Sequence, residues 1–376
     1  MEVPRTLLVT NDFPPRVGGI ERMLESLAGE LPADRITVLA PAHPHAQGFD
    51  ASLPYRVLRQ RERFLVPTPG VGDRVAAAVR DTASDVVLFG AMYPLAMLGP
   101  GLARAGIPYL SAAHGFEYWL SIAPGTHTAM RYAASRAARV FCCSGFVART
   151  VRTAVPRPTP VSVLHLGADT ATFRPDLPTA DLRAHHGIGD RPVVVCVSRL
   201  VARKGQDVLI EGIDRIRSHA PGAVLVIVGS GPHEPHLRAL AARAPAGSVV
   251  FTGAVPAPDL PRYFALGDVF AMPCRTRLAG LEVEGWGNVF IEAAACAKPV
   301  VVGDSGGARE ALVDGETGVL VDGADVGAVA DAVGCLLADP ERARRMGVAG
   351  RNRVLARLTW TAVGARLTRW LQEAAG

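Results

Sequence analysis

Short runs of apolar residues alternate along the chain with longer stretches of helical periodicity. Most of these runs lack the every-second-residue alternation of a half-exposed strand, which is typical of parallel sheets buried on both faces. A loop marked by glycine or proline follows each run, and then a segment rich in Ala, Leu and Arg. The predicted strands span residues 6–10, 36–40, 86–89, 109–112, 140–142, 193–197, 224–228, 249–251, 269–272, 300–302 and 318–321.

The predicted strands fall into two sets, separated by turn residues in HLGADTATFRP (165–175). At 376 residues the chain is also too long for one ordinary core. We therefore predict an α/β fold with two Rossmann-like, doubly wound parallel-sheet domains that face each other across a cleft, residues 1–168 and 169–357. Apolar residues at helical spacing predict a C-terminal helix in residues 358–376, which we expect to pack on the N-terminal domain.

An uncharged stretch of 18 residues, Val86 to Ala103, raises the question of a membrane span. Its glycines and prolines would break a continuous helix, so we predict a buried strand, a loop and a short helix instead. The N-terminus shows no signal-peptide pattern. Six cysteines without Cys-x-x-Cys spacing favour free thiols in a reducing cytoplasm.

The net charge of +5 lies in the N-terminal half, where residues 1–168 contain 17 Arg, no Lys and 12 acidic residues. YRVLRQRERF (55–64) concentrates part of it beside Phe64. Such a surface suits an anionic membrane or an acidic acceptor, although a solvated arginine-rich loop would look the same. Nucleic acid is disfavoured, because no aromatic residues interleave with the basic ones. The acceptor-binding candidates are Asp12, Arg59, Arg61 and Arg63.

In doubly wound sheets, ligands bind at the carboxyl ends of the strands, so candidate binding residues are expected in the loops that follow strands. In NDFPPRVGGIE (11–21), Gly18 and Gly19 can bring backbone N–H groups and a helix N-terminus close to a phosphate. The dinucleotide fingerprint GxGxxG is absent. A plain tight turn is the alternative.

Two further loops carry candidate polar groups. SRLVARKGQD (198–207) holds Arg199 and Lys204, and Lys204 is one of only two lysines among forty basic residues. Two cations there can neutralise a departing diphosphate, although a pair of surface cations is the alternative. In SAAHGFEYW (111–119), His114 can hydrogen-bond a sugar or polarise a reacting group, or be structural.

The segment EGWGNVFIE (284–292) places two carboxylates on either side of a flexible Gly-x-Gly turn. A loop followed by a helix with an Asn N-cap is the structural interpretation. The functional hypothesis assigns Glu292 to ribose hydroxyls, Glu284 to a hexose, and the amides around Gly285 and Asn288 to sugar hydroxyls.

Together these residues resemble the large retaining group of GT-B glycosyltransferases, whose hallmark is Glu, seven residues, Glu. Arg199 and Lys204 match the family's diphosphate-binding pair, and VVFTGAV (249–255) resembles the segment at the nucleobase. The resemblance implies His114, Arg199, Lys204 and Glu284 as catalytic residues. The implied donor-binding residues are Gly18, Gly19, Arg199, Lys204, Gly253, Val255, Glu284, Gly285, Trp286, Gly287, Asn288, Val289 and Glu292.

Within that family, the motifs look most like the actinobacterial phosphatidylinositol-mannoside mannosyltransferases that use GDP-mannose. The resemblance implies hexose transfer with retention to a hydroxyl acceptor, a phosphatidylinositol-type glycolipid, with no cofactor and no metal. No Asp-x-Asp occurs in the chain. It also implies a cytoplasmic protein in peripheral contact with the inner face of the plasma membrane.

Two alternatives remain open at this point. One is a UDP-sugar-dependent transferase that acts on a small-molecule, natural-product or polysaccharide acceptor. The other is a nucleotide-sugar 2-epimerase, which would share the two-domain architecture and the nucleotide site.

Overall fold

The computed structural model describes residues 2–376, apart from the side chains of Tyr118, Trp119 and Ile122. The described chain divides into two compact units, one of residues 2–166 with 360–376 and one of residues 167–359. The chain thus passes into the second unit two residues before the predicted boundary, and the last segment belongs to the first unit.

A parallel sheet forms the centre of the first unit. Within the described residues its strands are β1 (Thr6–Val9), β2 (Ile36–Ala40), β3 (Arg56–Arg59), β4 (Val86–Phe89), β5 (Tyr109–Ala113), β6 (Arg139–Cys142) and β7 (Val161–Val163). They lie in the order β3-β2-β1-β4-β5-β6-β7, so the order reverses between β1 and β4. The helices are α1 (Gly19–Gly29), α2 (Ala46–Asp50), α3 (Pro69–Asp81), α4 (Gly99–Arg104), α5 (Glu117–Ile122), α6 (Pro124–Ala134) and α7 (Gly145–Val151), with a 3₁₀ helix at Leu95–Leu98.

The second unit has the same design. Its described strands are β8 (Val193–Val197), β9 (Val224–Val228), β10 (Val249–Gly253), β11 (Val269–Met272), β12 (Val300–Gly303) and β13 (Gly318–Val321). They are parallel, in the order β10-β9-β8-β11-β12-β13. The helices are α8 (Ala180–His185), α9 (Gln206–Glu211), α10 (Ile213–His219), α11 (Glu234–Ala241), α12 (Leu260–Leu266), α13 (Asn288–Ala295), α14 (Val326–Ala338) and α15 (Pro340–Arg357), with 3₁₀ helices at Ala202–Lys204, Leu278–Gly280 and Ala308–Ala311.

The C-terminal helix α16 (Trp360–Ala375) completes the first unit. Its buried residues Val363, Leu367 and Leu371 join the core that includes Leu8 and Leu24. Burying such side chains stabilises a fold by about 1.5–3 kcal/mol each. This apolar stripe is what ties the end of the chain to a sheet built from its beginning.

The uncharged stretch that begins at Val86 forms β4, a loop, a 3₁₀ helix and α4, as its glycines and prolines predict. Pro100 stands in the first turn of α4, where a missing N–H costs no hydrogen bond. Within residues 2–376, no helix combines the length and apolarity that crossing a bilayer demands.

Two strands escaped the sequence patterns, β3 and β7. β3 lies inside the arginine-rich segment and pairs with β2, from Thr37 opposite Arg56 to Ala40 opposite Arg59. A sheet edge tolerates charged side chains, and these also discourage edge-to-edge aggregation. The arginine-rich segment is therefore partly an edge strand, which neither interpretation of it predicted.

Candidate active site

The candidate donor residues of the second unit lie on loops at one edge of its sheet. β8, β11 and β12 are neighbours, and the strand order reverses between β8 and β11. Reversal points of this kind leave a crevice at the carboxyl ends of the strands. The loop after β8 carries Arg199 and Lys204, and the loop after β11 carries Glu284.

Glu284 is the centre of a charged cluster in this crevice. Its carboxylate Oε2 accepts hydrogen bonds from Lys204 Nζ at 2.6 Å and from Arg203 Nη1 at 2.5 Å. Glu284 is 8% exposed and Lys204 9%, so water screens this contact poorly. The sequence motifs suggested Glu284 and Lys204 separately, but Arg203 was missed.

Burial by itself would raise the pKa of Glu284. The charges of Lys204 and Arg203 and their hydrogen bonds outweigh that effect, so the pKa of this carboxyl lies below its ordinary value. Glu284 is therefore a carboxylate at neutral pH, and two cations share its charge.

Backbone contacts fix the position of Glu284. The Glu284 N–H donates to Ser305 Oγ at 3.3 Å, and its carbonyl oxygen accepts from the Gly307 N–H at 2.8 Å. Gly306 has φ +56°, and a Cβ there would lie 2.2 Å from the Glu284 carbonyl oxygen. Gly306 thus lets the loop after β12 (DSGGARE, 304–310) close on Glu284.

The lysine loop is fixed in a similar way. Gly205 has φ +77°, and a Cβ there would lie 2.1 Å from the carbonyl oxygen of Pro273 in the loop after β11. The buried Gln206 amide donates to Ser198 Oγ at 2.7 Å and to the Arg199 carbonyl at 3.1 Å. The Arg199 side chain is exposed and makes no ion pair with any described residue, so its charge faces solvent.

The Gly-x-Gly turn leads into α13. Gly287 is the N-cap with φ +83°, and a Cβ there would lie 2.5 Å from the Phe290 ring. One turn into the helix, Glu292 Oε1 accepts from Asn288 Nδ2 at 3.1 Å. Trp286 is 3% exposed and belongs to the core, whereas Gly285 and Val289 are partly exposed. A sugar contact at Trp286 would therefore involve its backbone.

Gly253 and Val255 lie further along the same sheet edge. Gly253 ends the outer strand β10 with φ +71°, and its carbonyl oxygen accepts from the Gly229 N–H at 2.9 Å. One strand, β9, separates β10 from β8 and the Lys204 loop, so these residues flank the Lys204–Glu284 cluster at the same sheet edge.

His114 follows β5 in the first unit. Its Nε2 lies 2.6 Å from the Gly90 carbonyl oxygen, and because a carbonyl only accepts, Nε2 carries the hydrogen of this contact. The backbone N–H groups of His114 and Gly115 both donate to Glu117 Oε2 at 2.9 Å. The imidazole is held in one orientation, and Nδ1 is left to meet a ligand.

The glycine loop after β1 already holds a carboxylate. Gly18 is extended, and a Cβ there would lie 2.0 Å from Glu21 Oε2, in the first turn of α1. Glu21 is 7% exposed, with Arg16 Nε 3.5 Å away. Burial raises the pKa of Glu21. The sequence interpretation missed this residue, although an acidic residue three positions after an N-cap is a known capping signal.

The acceptor candidates of the first unit have different surroundings. The Arg59 side chain is mostly buried and donates to both Asp50 oxygens, at 2.7 and 3.0 Å, and to the carbonyls of Pro14 and Pro41. Arg59 therefore ties loops together. Asp12 is partly exposed, 3.8 Å from Arg16. Arg61 and Arg63 are exposed, as is half of the Phe64 side chain.

Arg59 and Arg63 also line a cavity of about 500 Å³ together with Arg16, His43 and Phe64. It lies at the carboxyl ends of β1, β2 and β3, the edge of the sheet at which doubly wound folds bind ligands. Three arginines at one cavity suit an anionic ligand.

Comparison with known proteins identifies the family. Residues 17–172 match the family described as Glycosyltransferase Family 4, and residues 179–353 match Glycosyl transferases group 1. The chain is 46% identical, over 97% of both chains, to the GDP-mannose-dependent α-(1-6)-phosphatidylinositol monomannoside mannosyltransferase of Mycolicibacterium smegmatis. The chain belongs to the GT-B glycosyltransferases. The family predicted from the sequence motifs is thereby confirmed.

Other relatives agree with this glycosyltransferase assignment. A GDP-mannose-dependent monoacylated α-(1-6)-phosphatidylinositol monomannoside mannosyltransferase of Corynebacterium glutamicum is 37% identical over 98% of both chains. The crystal structure of Anabaena HepE in complex with UDP matches with a TM-score of 0.82, 20% identity, and coverage of 98% of this chain and 100% of that one. At that identity HepE supports the fold alone, and the predicted two-unit Rossmann-like fold is confirmed.

Among the described residues of this glycosyltransferase, no three His, Cys, Asp or Glu side chains are grouped so that they could hold a metal ion. The cations in contact with Glu284 are Arg203 and Lys204, and Arg199 lies in the same loop.

Proposed function

We propose that this enzyme transfers a mannosyl group from GDP-mannose to a phosphatidylinositol monomannoside through an α-(1-6) bond, with retention and without a metal. The names of the two mannosyltransferase relatives supply the donor and the acceptor. The observation that carries the proposal is the contact of Lys204 and Arg203 with Glu284 at the strand-order reversal, which joins the family's diphosphate and hexose motifs.

The donor lies along the carboxyl edge of the second sheet. Arg199 and Lys204 neutralise the diphosphate, Glu284 and the amides before α13 bind the hexose, and Glu292 binds the ribose hydroxyls. Asn288 orients the Glu292 carboxylate through its 3.1 Å hydrogen bond. Cations fixed beforehand in a poorly hydrated crevice stabilise a leaving group more strongly than mobile ones in water.

In the reaction, the bond between the anomeric carbon and the diphosphate oxygen breaks as the acceptor hydroxyl bonds to the same carbon. The acceptor proton passes to the departing phosphate oxygen, so no carboxylate pair at glycosidase spacing is needed. His114 is held through Nε2 at the Gly90 carbonyl, which leaves Nδ1 as the ring atom that can hydrogen-bond a substrate hydroxyl.

The acceptor headgroup occupies the cavity of about 500 Å³ in the first unit, where Arg16 and Arg63 meet its phosphodiester. Exposed apolar side chains stand beside these cations, with Phe64 49% and Val66 54% exposed. Basic residues near an anionic bilayer contribute about 1 kcal/mol each, and apolar side chains insert beside them. The enzyme is thus a peripheral membrane protein that draws its acceptor from the bilayer surface.

The decisive assay incubates the purified enzyme with GDP-mannose and phosphatidylinositol monomannoside in detergent. Mass spectrometry should show the addition of one hexose, and NMR should show an α-anomeric product. UDP-glucose should be a poor donor, and donor without acceptor should give no isomeric sugar nucleotide, which an epimerase would form. Full activity in EDTA is expected, and restoration by Mg²⁺ of activity lost in EDTA would contradict the metal-free mechanism.

A variant series connects this assay to the site. Lys204→Ala should lower turnover by about 10²-fold, the scale of losing one transition-state contact. Arg243→Gln, an exposed cation of the same unit, is the control and should retain activity. Turnover of Lys204→Ala within threefold of wild type would refute the diphosphate role.

Membrane contact is tested by co-sedimentation with vesicles that contain anionic phosphatidylinositol. The double variant Arg61→Gln/Arg63→Gln should bind less at low salt. Arg80→Gln/Arg104→Gln removes the same charge from exposed helix ends and should bind like wild type. Equal binding by both double variants would mean that net charge alone attracts the protein.

A further inference from the structure

A second large cavity, of about 520 Å³, lies in the second unit away from the Glu284 crevice. Its lining includes Pro192, Asp268 and Pro299, which directly precede β8, β11 and β12. The cavity is therefore at the amino ends of the same strands whose carboxyl ends carry the donor motifs. The proposed transfer reaction assigns no role to it.

The cavity contains Lys298, the other of the two lysines in this arginine-rich chain. Lys298 is partly buried, and its ammonium makes no hydrogen bond or ion pair with any of the residues that the structure describes. Buried ammonium groups are normally paired, because removing an unpaired charge from water is costly. Asp268 of the same cavity acts on the Lys298 charge through space, but no hydrogen bond joins the two, so the ammonium keeps its donors for an anionic ligand.

Lys298 follows Ala297, whose backbone is in the left-handed region, and this turn directs the chain to the cavity. Ala297 has φ +55°, which is unfavourable for a residue with a Cβ. The N–H groups of Ala297 and Lys298 close the end of α13 by donating to the carbonyls of Ala294 and Ala293 at 2.9 and 3.1 Å. Gly347 of α15 packs so closely that a Cβ there would lie 1.9 Å from the Ala297 carbonyl oxygen.

Two arginines line the cavity with Lys298, against the two carboxylates of Asp190 and Asp268. Arg183 reaches the Asp268 carboxylate at 3.9 Å, and the Val193 N–H donates to the same carboxylate at 2.8 Å, so Asp268 is already engaged. Arg344 makes an exposed ion pair with Glu341 at 3.2 Å, a contact of little energy that a ligand can replace. Leu336 and Leu337 add an apolar wall.

We propose that this cavity binds a small phosphate monoester with an apolar substituent, whose phosphate contacts Lys298, Arg183 and Arg344. A phosphate monoester carries about −1.5 to −2 charges at pH 7, which matches several converging cations better than a carboxylate does. The cavity volume is within the range of about 300–1,000 Å³ found for small-ligand sites. Burial lowers the pKa of Lys298, and a bound phosphate would raise it again.

The first test is calorimetric titration of the full chain at pH 7 with phenyl phosphate, inorganic phosphate and phenol. Saturable binding of phenyl phosphate is expected, with weaker binding of inorganic phosphate and none of phenol. Lys298→Met should weaken phenyl phosphate binding by about tenfold or more, the scale of one charge-assisted contact. Arg243→Gln, the exposed control cation of the same unit, should bind phenyl phosphate like wild type, and GDP should not compete.

Unaltered affinity in a folded Lys298→Met variant, or competition by GDP, would overturn the proposal. A second measurement on the wild-type chain avoids dependence on the variant. Reductive ¹³C-methylation labels both lysines and the α-amino group. Lys204→Met identifies the Lys204 resonance, and the α-amino group is distinguished by its ordinary pKa of about 8. The pKa of labelled Lys298 should rise in phenyl phosphate and stay constant in phenol. A pKa that is insensitive to phenyl phosphate would also exclude the site.

Discussion

Glu284→Gln tests whether the carboxylate and its two cations form one energetic unit. The variant keeps the shape of the side chain but leaves the Lys204 ammonium, 9% exposed, without its counter-charge. Removing one partner of a buried ion pair typically costs about 3–5 kcal/mol. Lys204→Met should cost less, about 1.5–3 kcal/mol, because Arg203 continues to donate to Glu284 at 2.5 Å.

A double-mutant cycle separates the contact from the individual effects. The variant with both substitutions should be more stable than the sum of the single effects predicts, by about 1 kcal/mol or more, because the buried Lys204 charge is gone and only the more exposed Arg203 has lost its partner. Stability is measured by urea unfolding at pH 7, followed by circular dichroism. Purely additive effects, within about 0.5 kcal/mol, would refute the coupling.

The stability lost in Glu284→Gln should depend on pH, and the lowered pKa of Glu284 gives the direction of that dependence. A carboxyl whose pKa is lowered on folding stabilises the protein above the pKa of the unfolded chain. That contribution is lost as the pH falls below about 4.5, the ordinary value, and through the pKa of the folded state. The stability difference between wild type and Glu284→Gln should therefore shrink below pH 4.5, and a constant difference would contradict the assignment.

Three further predictions concern other parts of the second unit and the cysteines. Glu292→Ala should weaken GDP binding by about tenfold, equivalent to about 1.4 kcal/mol, and unchanged affinity in a thermal-shift titration would exclude the ribose contact. Gly306→Ala should destabilise the protein by more than about 2 kcal/mol, because the new Cβ clashes with the Glu284 carbonyl at a φ that is already unfavourable. Gly315→Ala is the control: its φ is +76°, but no atom lies near the new Cβ, so it should cost only about 1 kcal/mol. A thiol reagent should react quickly with Cys335 alone among the six cysteines, because the other five are buried. Burial also raises the pKa of Cys196 and Cys296 to about 12. Fast reaction of all six thiols in the native protein would contradict this prediction.

The core strands could be predicted because they are buried on both faces, so that their apolar residues are consecutive in the sequence. β2, β4, β8, β9, β11 and β13 have the predicted bounds. The edge strand β3 was missed because its outer residues are arginines, and β7 because it spans three residues only. An edge strand has a neighbour on one side only and tolerates charged side chains, so pairing defines it more than composition does.

The sequence by itself determined the number of units, the order of their elements, and the loop motifs that point to a nucleotide-sugar transferase. These features are local, because strand burial, glycine turns and short motifs depend on neighbouring residues. Only the tertiary structure brought Lys204 and Arg203 to Glu284, 80 and 81 residues further along the chain. It also decided that Glu21 occupies the glycine loop and that Lys298 lies in a cavity together with Arg183 and Arg344, because charge pairing depends on the sheet order that brings distant loops together.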